Sequence, residues 1–153
     1  MKKTAVFPGS FDPITKGHES IVKRAIPLFD EIVIAIGINS TKEHYFPLEK
    51  RIDWLNKVFV NEVTVRIEKY EGLTVDFCNE INAQYILRGL RTSADFEFER
   101  TIALMNKAMV LEIETVFILS IPELSAINST IVRDILSCGG DASQFVPEGV
   151  DLI

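Results

Sequence analysis

Runs of consecutive apolar residues alternate along this chain with stretches where apolar positions recur every three or four residues. Residues 4–7 (TAVF) form a short apolar run that stops at Pro8-Gly9, which predicts a buried strand ending in a turn. From Gly17 onward Ile21, Val22, Ala25 and Phe29 make a helical stripe. Pro27 falls in the last turn of that helix and interrupts it, having no N–H to donate. Residues 31–37 (EIVIAIG) are β-branched and continuous, as expected of a central parallel strand buried on both faces. A polar loop follows over 39–46. Pro47 then suits the first turn of a helix, LEKRIDWLNKVF, with Glu49 near its positive end.

The second half repeats the pattern. Residues 63–67 (VTVRI) alternate as a strand, and 73–82 form a short helix with Val75, Cys78 and Ile81 inward. Residues 85–87 form a brief strand ended by Arg88-Gly89, and Ser93 or Asp95 is placed to cap the next helix. In that helix Phe98, Ile102, Met105 and Met109 share one stripe, read as core or subunit interface. Residues 115–119 (TVFIL) are the last strand. Ser129 opens a final helix, STIVRDILS, which stops at Gly139-Gly140. The tail, 141–153, contains Pro147 and has little periodicity. Five strands alternating with helices, with no linker or repeat between them, predict one α/β domain, a Rossmann-like, doubly wound, five-stranded parallel sheet over residues 1–153.

Composition narrows what such a domain does. Sixteen Lys and Arg against 22 Asp and Glu give a net charge of −6, the wrong sign for a general nucleic-acid binder. Any anionic ligand must therefore be held by a few placed cations. Cys78 and Cys138 are too few for a disulfide framework and read as small core residues. With only His18 and His44 beside them, no structural zinc site and no metal ligand set is identifiable. The apolar run near the N-terminus breaks at Pro8, so it is no signal peptide, and no run is long enough to span a membrane. The expected location is the cytoplasm.

In a doubly wound sheet all strand C-terminal ends lie on one rim, where ligands bind. After the first strand come Gly9, Ser10 and His18, and after the second Lys42. The third is followed by Glu71-Gly72 and Thr74, the fourth by RGLR (88–91), and the fifth by residues 125–130 with Arg133. That collection of cations and hydroxyls suits phosphorylated ligands, arginine as a fork and lysine as a point charge. Each residue also has an ordinary reading. Lys42 can be merely solvated, Arg88 and Arg91 can pair with Asp95, Glu97 or Glu99, and Ser129-Thr130 can be a helix cap. The chain lacks a G-x-S-x-G elbow, a P-loop and the G-x-G-x-x-G fingerprint. Chemistry on this rim would rest on positioning and charge stabilisation, as in direct phosphoryl or nucleotidyl transfer.

Two motifs carry a resemblance. Gly9-Ser10-Phe11-Asp12-Pro13 with Thr15-Lys16-Gly17-His18 resembles the G-x-F-D-P…[TH]-x-G-H signature of nucleotidyltransferases. Ile127-Asn128-Ser129-Thr130 with Arg133 resembles their I-S-S-[ST]-x-x-[RK] signature. Thr15, RGLR and Lys42 together make the chain similar throughout to the bacterial phosphopantetheine adenylyltransferase family. The resemblance implies adenylyl transfer from ATP to 4′-phosphopantetheine, giving dephospho-coenzyme A and pyrophosphate, with Mg2+ as cofactor and a homohexameric assembly. It implies that Ser10, Lys42, Thr74 and Arg88 contact the acceptor. It further implies that Ser10, Phe11, His18, Gly89, Leu90, Arg91, Glu99 and residues Leu124, Ser125, Ala126, Ile127, Asn128, Ser129 and Thr130 contact ATP. His18 would stabilise the transition state, with Lys42 and Arg91 assisting catalysis. Asn128 stands where the family has serine, and Leu124 and Ala126 where it often has aromatics. The rival expectations are a cytidylyl- or adenylyltransferase for glycerol phosphate or nicotinamide mononucleotide, and a non-catalytic nucleotide-binding module.

Overall fold

The computed structural model describes residues 1–39 and 41–152; the loop expectation at Ser40 and the tail expectation at Ile153 lie outside them. Five strands form one parallel sheet: β1 (Thr4–Gly9), β2 (Glu31–Ile38), β3 (Val65–Glu71), β4 (Tyr85–Leu90) and β5 (Glu114–Leu119). Their order is β3-β2-β1-β4-β5. Helices α1 (Lys16–Ala25), α2 (Leu48–Val58), α3 (Thr74–Glu80), α4 (Ser93–Met109) and α5 (Ser129–Ser137) intervene. The chain therefore winds outward from β1 to β3, returns, and winds outward again through β4 and β5. That is the doubly wound α/β domain expected.

Strand alternation divides the core into two layers. Ala5, Phe7, Ile32, Ile34, Ile36 and Leu87 face one side, where Ile21 and Val22 of α1, Trp54 and Leu55 of α2 and Val132 of α5 cover them. Val6, Val33, Ala35 and Ile86 face the other and pack on Val75, Phe77 and Cys78 of α3 and on Ile113. The tail joins the first layer through Ala142, Val146 and Val150, which its lack of periodicity concealed. Among the described residues no helix is long and apolar enough to cross a membrane.

Several boundaries differ from the sequence reading. β1 continues through Pro8 and Gly9, which remain in register with Ala35 and Ile36 of β2. Pro27 sits in a 3-10 turn (Ile26–Leu28) rather than in α1. Val63 is fully exposed in a turn, and β3 starts at Val65, which pairs with Ile32. β4 runs on through Arg88, Gly89 and Leu90, paired with Phe117, Ile118 and Leu119. Gly89 is thus no turn glycine. A Cβ there would meet Ile21 Cγ1 at 3.0 Å, so its smallness lets α1 lie close on the strand.

Helix caps also move. Thr92, not Ser93 or Asp95, caps α4 by accepting the Asp95 N–H at 3.1 Å. Asn128, not Ser129 or Thr130, caps α5, its Oδ1 accepting the Ile131 N–H at 2.9 Å. α5 ends before Gly139, whose φ of +77° is the left-handed conformation of a helix stop. Cys138 is exposed there, so only Cys78 is a core cysteine. The α4 stripe is not core: Phe98, Met105 and Met109 are at least half exposed.

Leu87 is fully buried near the centre of the larger layer. Leu87→Ala is expected to cost about 2–5 kcal/mol of unfolding free energy, from lost transfer energy and the cavity left behind, as urea denaturation would measure.

Candidate active site

The site begins where two strands part. β1 and β4 pair only at Ala5↔Tyr85 and Val6↔Ile86, and Pro8 has no N–H with which to extend a ladder. Beyond that point Arg88 bridges the gap, Nη1 donating to the Pro8 carbonyl at 2.7 Å. The parting lies between the two halves of the winding, the switch point at which open α/β sheets bind ligands.

Two cavities open there, of about 410 and 320 Å³, sharing Pro8, Gly9, Ser10, Arg88 and Glu99 as walls. The first extends toward the ends of β2 and β3. It is lined by Lys42, His44, Tyr70 and Thr74, and by Ile102 and Asn106 of α4. The second extends toward α1 and α5, lined by Phe11, His18, Gly89, Arg91, Asp95, Ile127, Asn128 and Ser129. All four residues expected to hold the acceptor border the first cavity. Most of those expected to hold ATP border the second. Leu90, Leu124, Ser125, Ala126 and Thr130 do not border either. Leu90 ends β4 with its carbonyl held by the Ser120 N–H at 2.8 Å. Leu124 ends a 3-10 turn (Pro122–Leu124), and Ser125 Oγ donates back to Pro122 at 3.1 Å. Thr130 accepts from Arg133 at 3.2 Å. Arg133 itself donates to the Asp12 carbonyl at 2.8 Å, so this rim cation serves the loop scaffold.

Glu99 borders both cavities and pairs with Arg88, the ordinary reading the sequence offered for that arginine. Its carboxylate accepts both Nε (2.9 Å) and Nη2 (2.6 Å) of Arg88. With the bond to Pro8, three of the five guanidinium N–H donors are used and two remain. Glu99 and Pro8 thereby fix the plane in which Arg88 can meet a phosphate on the shared wall. Arg91 is held less tightly, its Nε 3.4 Å from Asp95. The second cavity thus carries two arginines and two carboxylates, and its charge balances before any ligand binds.

His18 is set by the start of α1. The Thr15 N–H donates to His18 Nδ1 at 3.0 Å, and the His18 N–H donates to Thr15 Oγ1 at 3.4 Å, a reciprocal capping box. A backbone N–H can only donate, so Nδ1 accepts and the neutral ring carries its proton on Nε2. The edges of Phe11 and Phe7 enclose the imidazole, with centroids 5.0 and 6.2 Å away. Burial, then Arg88, then Arg91, lower its pKa from 6.5 to about 4. It is a neutral hydrogen-bond donor at physiological pH.

On α5, Ser129 Oγ donates to the Pro13 carbonyl at 2.8 Å and Asn128 takes the Ile131 N–H, leaving the Ser129 and Thr130 amides as the first-turn groups free of the helix ladder. Thr74 Oγ1 shares a 2.8 Å hydrogen bond with the Tyr70 hydroxyl. Tyr70, Asn106 and Ser120 border the cavities but were not singled out in the sequence. The helical period of α4 does place Asn106 and Glu99, seven residues apart, on one face, a signal masked by the apolar stripe beside them. Among the described residues no group of three His, Cys, Asp or Glu could hold a metal ion.

The chain is similar to known proteins along most of its length. The cytidylyltransferase-like family pattern matches residues 6–135, most of the chain and all of both cavities. A solved chain from Vibrio parahaemolyticus, assigned as a nicotinate-nucleotide adenylyltransferase, has the same fold, with a TM-score of 0.70, 22% identity and coverage of 98% and 96% of the two chains. The class is thus a cytidylyltransferase-like nucleotidyltransferase. A phosphopantetheine adenylyltransferase from Flavobacterium johnsoniae is 53% identical over 148 residues, covering 97% of each chain. Another, from Bacteroides fragilis, is 45% identical over 150 residues, covering 98% of this chain and 99% of its own. The chain belongs to the phosphopantetheine adenylyltransferase family.

The depressed pKa of His18 has a readable consequence. In the ligand-free protein its ring should titrate near pH 4, followed by imidazole NMR shifts. Because the folded value lies below the ordinary one, the stability it contributes is complete above pH 6.5. That stability is lost as pH falls toward 4. A His18 midpoint near 6.5 would contradict the enclosure described.

Proposed function

We propose that the protein reversibly transfers an adenylyl group from ATP to 4′-phosphopantetheine, releasing pyrophosphate and forming dephospho-coenzyme A. The observation that carries this reading is the meeting of two cavities at Ser10 and Arg88. One has a lysine and a threonine at its far side, the other a neutral imidazole and a helix start. Two phosphorylated substrates, one in each cavity, would bring their phosphates together at the shared wall.

In the proposed reaction Lys42 and the two free N–H donors of Arg88 hold the acceptor phosphate. One of its oxygens attacks the α-phosphorus of ATP; that bond forms as the bond to the β-phosphate oxygen breaks. His18 donates from Nε2 to a non-bridging oxygen on which charge builds, with no proton transferred. Arg91 and the first-turn amides of α5 receive the departing pyrophosphate, where the helix dipole favours negative charge. Ser10, on the wall between the cavities, contacts both substrates. The chemistry is positioning and charge stabilisation, which suits a site without an activated nucleophile.

Magnesium is proposed as the cofactor, carried in on the ATP phosphates. The lining is compatible with this: its carboxylates, Asp95 and Glu99, already face Arg91 and Arg88, and Mg2+ commonly relies on substrate phosphates with few protein ligands. When bound it would neutralise phosphate charge. A homohexamer is also proposed. It is supported by the exposed α4 stripe, Phe98, Ile102, Met105 and Met109, an apolar surface suited to other subunits. Cytoplasmic location and the lack of a membrane partner complete the reading, and the net charge of −6 supports the lack of a nucleic-acid partner.

Pyrophosphate release should be rapid with ATP and 4′-phosphopantetheine. It should be at background with glycerol phosphate or nicotinamide mononucleotide, and with CTP in place of ATP. Nucleotide binding without release would favour a non-catalytic module. His18→Ala should lower turnover about a hundred- to a thousandfold. Its unfolding free energy should fall by no more than about 1 kcal/mol, since half of a capping box is lost.

A further inference from the structure

Two buried charges lie just behind the first cavity and border neither cavity. Asp12 is 3% exposed and Arg51, on α2, is 4% exposed. The Asp12 carboxylate accepts the backbone N–H of Tyr45 at 2.8 Å and of Phe46 at 2.9 Å. Arg51 donates from Nε to the Phe46 carbonyl at 3.0 Å and from Nη1 to the Ser10 carbonyl at 2.8 Å. Both carbonyl and N–H of Phe46 are thereby tied to charged side chains. Four hydrogen bonds fasten the end of the Lys42 loop to the loop that carries Ser10.

Lys42 lies in the loop that this fastening ends. At the start of its loop the bonds seen among the described residues are local: Thr41 and Lys42 turn back on Asn39 at 2.7–3.2 Å. Its side chain is exposed on the cavity wall. The downstream anchor, at Tyr45 and Phe46, is the tie shown between this loop and the Ser10 loop. Burying charges is costly, and well-packed apolar residues can often replace them without loss of stability. A planar guanidinium satisfying two carbonyls from different loops, opposite a carboxylate satisfying two amides, fixes one relative placement of those loops.

We propose that Asp12 and Arg51 are positioning residues that hold the Lys42 loop against Ser10 and so set the affinity for the phosphorylated acceptor. The proposal rests on the acceptor reading of the first cavity. It is tested with Asp12→Asn, which keeps volume and can accept only one of the two N–H groups, and with Arg51→Lys, which cannot span both carbonyls. In steady-state pyrophosphate release, each variant should raise KM for 4′-phosphopantetheine tenfold or more. KM for ATP should change less than threefold. In a Lys42→Ala background, Asp12→Asn should add little further, because its effect is relayed through Lys42. Hydrogen exchange gives a readout independent of the reaction: the Tyr45 and Phe46 amides should exchange faster in Asp12→Asn, with α1 and α5 unchanged.

Equal rises in both KM values, full additivity with Lys42→Ala, or unchanged exchange at Tyr45 and Phe46 would overturn the proposal. Loss of folding in both variants would overturn it as well, by giving the pair a purely structural role. A wild-type protein that releases no pyrophosphate with 4′-phosphopantetheine, yet shows the exchange change, would instead remove the acceptor reading and leave the loop brace standing.

Discussion

The site depends on one interruption in backbone hydrogen bonding. β1 and β4 are neighbours for two residue pairs and then separate, so the central seam of the sheet opens at its C-terminal rim. Backbone groups left at such a seam need partners, and Arg88 supplies one by donating to the Pro8 carbonyl. The same guanidinium forms the wall common to both cavities. Continued pairing of the two strands would close the space in which two substrates could meet.

Charge in the opening is arranged ahead of any ligand. Arg88 lies against Glu99 and Arg91 beside Asp95, while His18 stays neutral under burial and the nearby guanidinium groups. Such pairing resolves how an acidic protein keeps cations on one rim without a large local field. It also fixes direction: a paired arginine presents its remaining donors along one plane, whereas a solvated one samples many.

Much of this architecture could be read from the chain because local periodicity and the switch-point rule act together. The strand 31–37 and the helix over Ile21 to Ala25 are patterned by burial, and the winding then carries Ser10, Lys42, Arg88 and His18 to one edge. What escaped the sequence is what distance along the chain hides. Arg88-Gly89 reads as a strand end, since only the packing of Ile21 reveals why a glycine sits within β4. Arg88 could be assigned Asp95, Glu97 or Glu99 as its partner from the sequence, and only the fold selects Glu99 and shows both of its oxygens facing the guanidinium. The bracing role of Asp12 and Arg51 depends on partners far along the chain, 33 and 34 residues away for Asp12 and 41 for the bond from Arg51 to Ser10. The α4 stripe has helical spacing whether it faces a core or the surface, so spacing could not tell which.

The capping box at Thr15 and His18 ties chemistry to folding in an unusual way. One backbone amide both begins the first helix and assigns the imidazole proton to the outer nitrogen. The ring does not draw its tautomer from an equilibrium with solvent. It inherits that state when the first turn forms, so a chain whose α1 is frayed would carry a histidine at the same place with its donor and acceptor sides no longer specified. Formation of one helical turn is thus the step that turns this residue from a side chain into a directed donor.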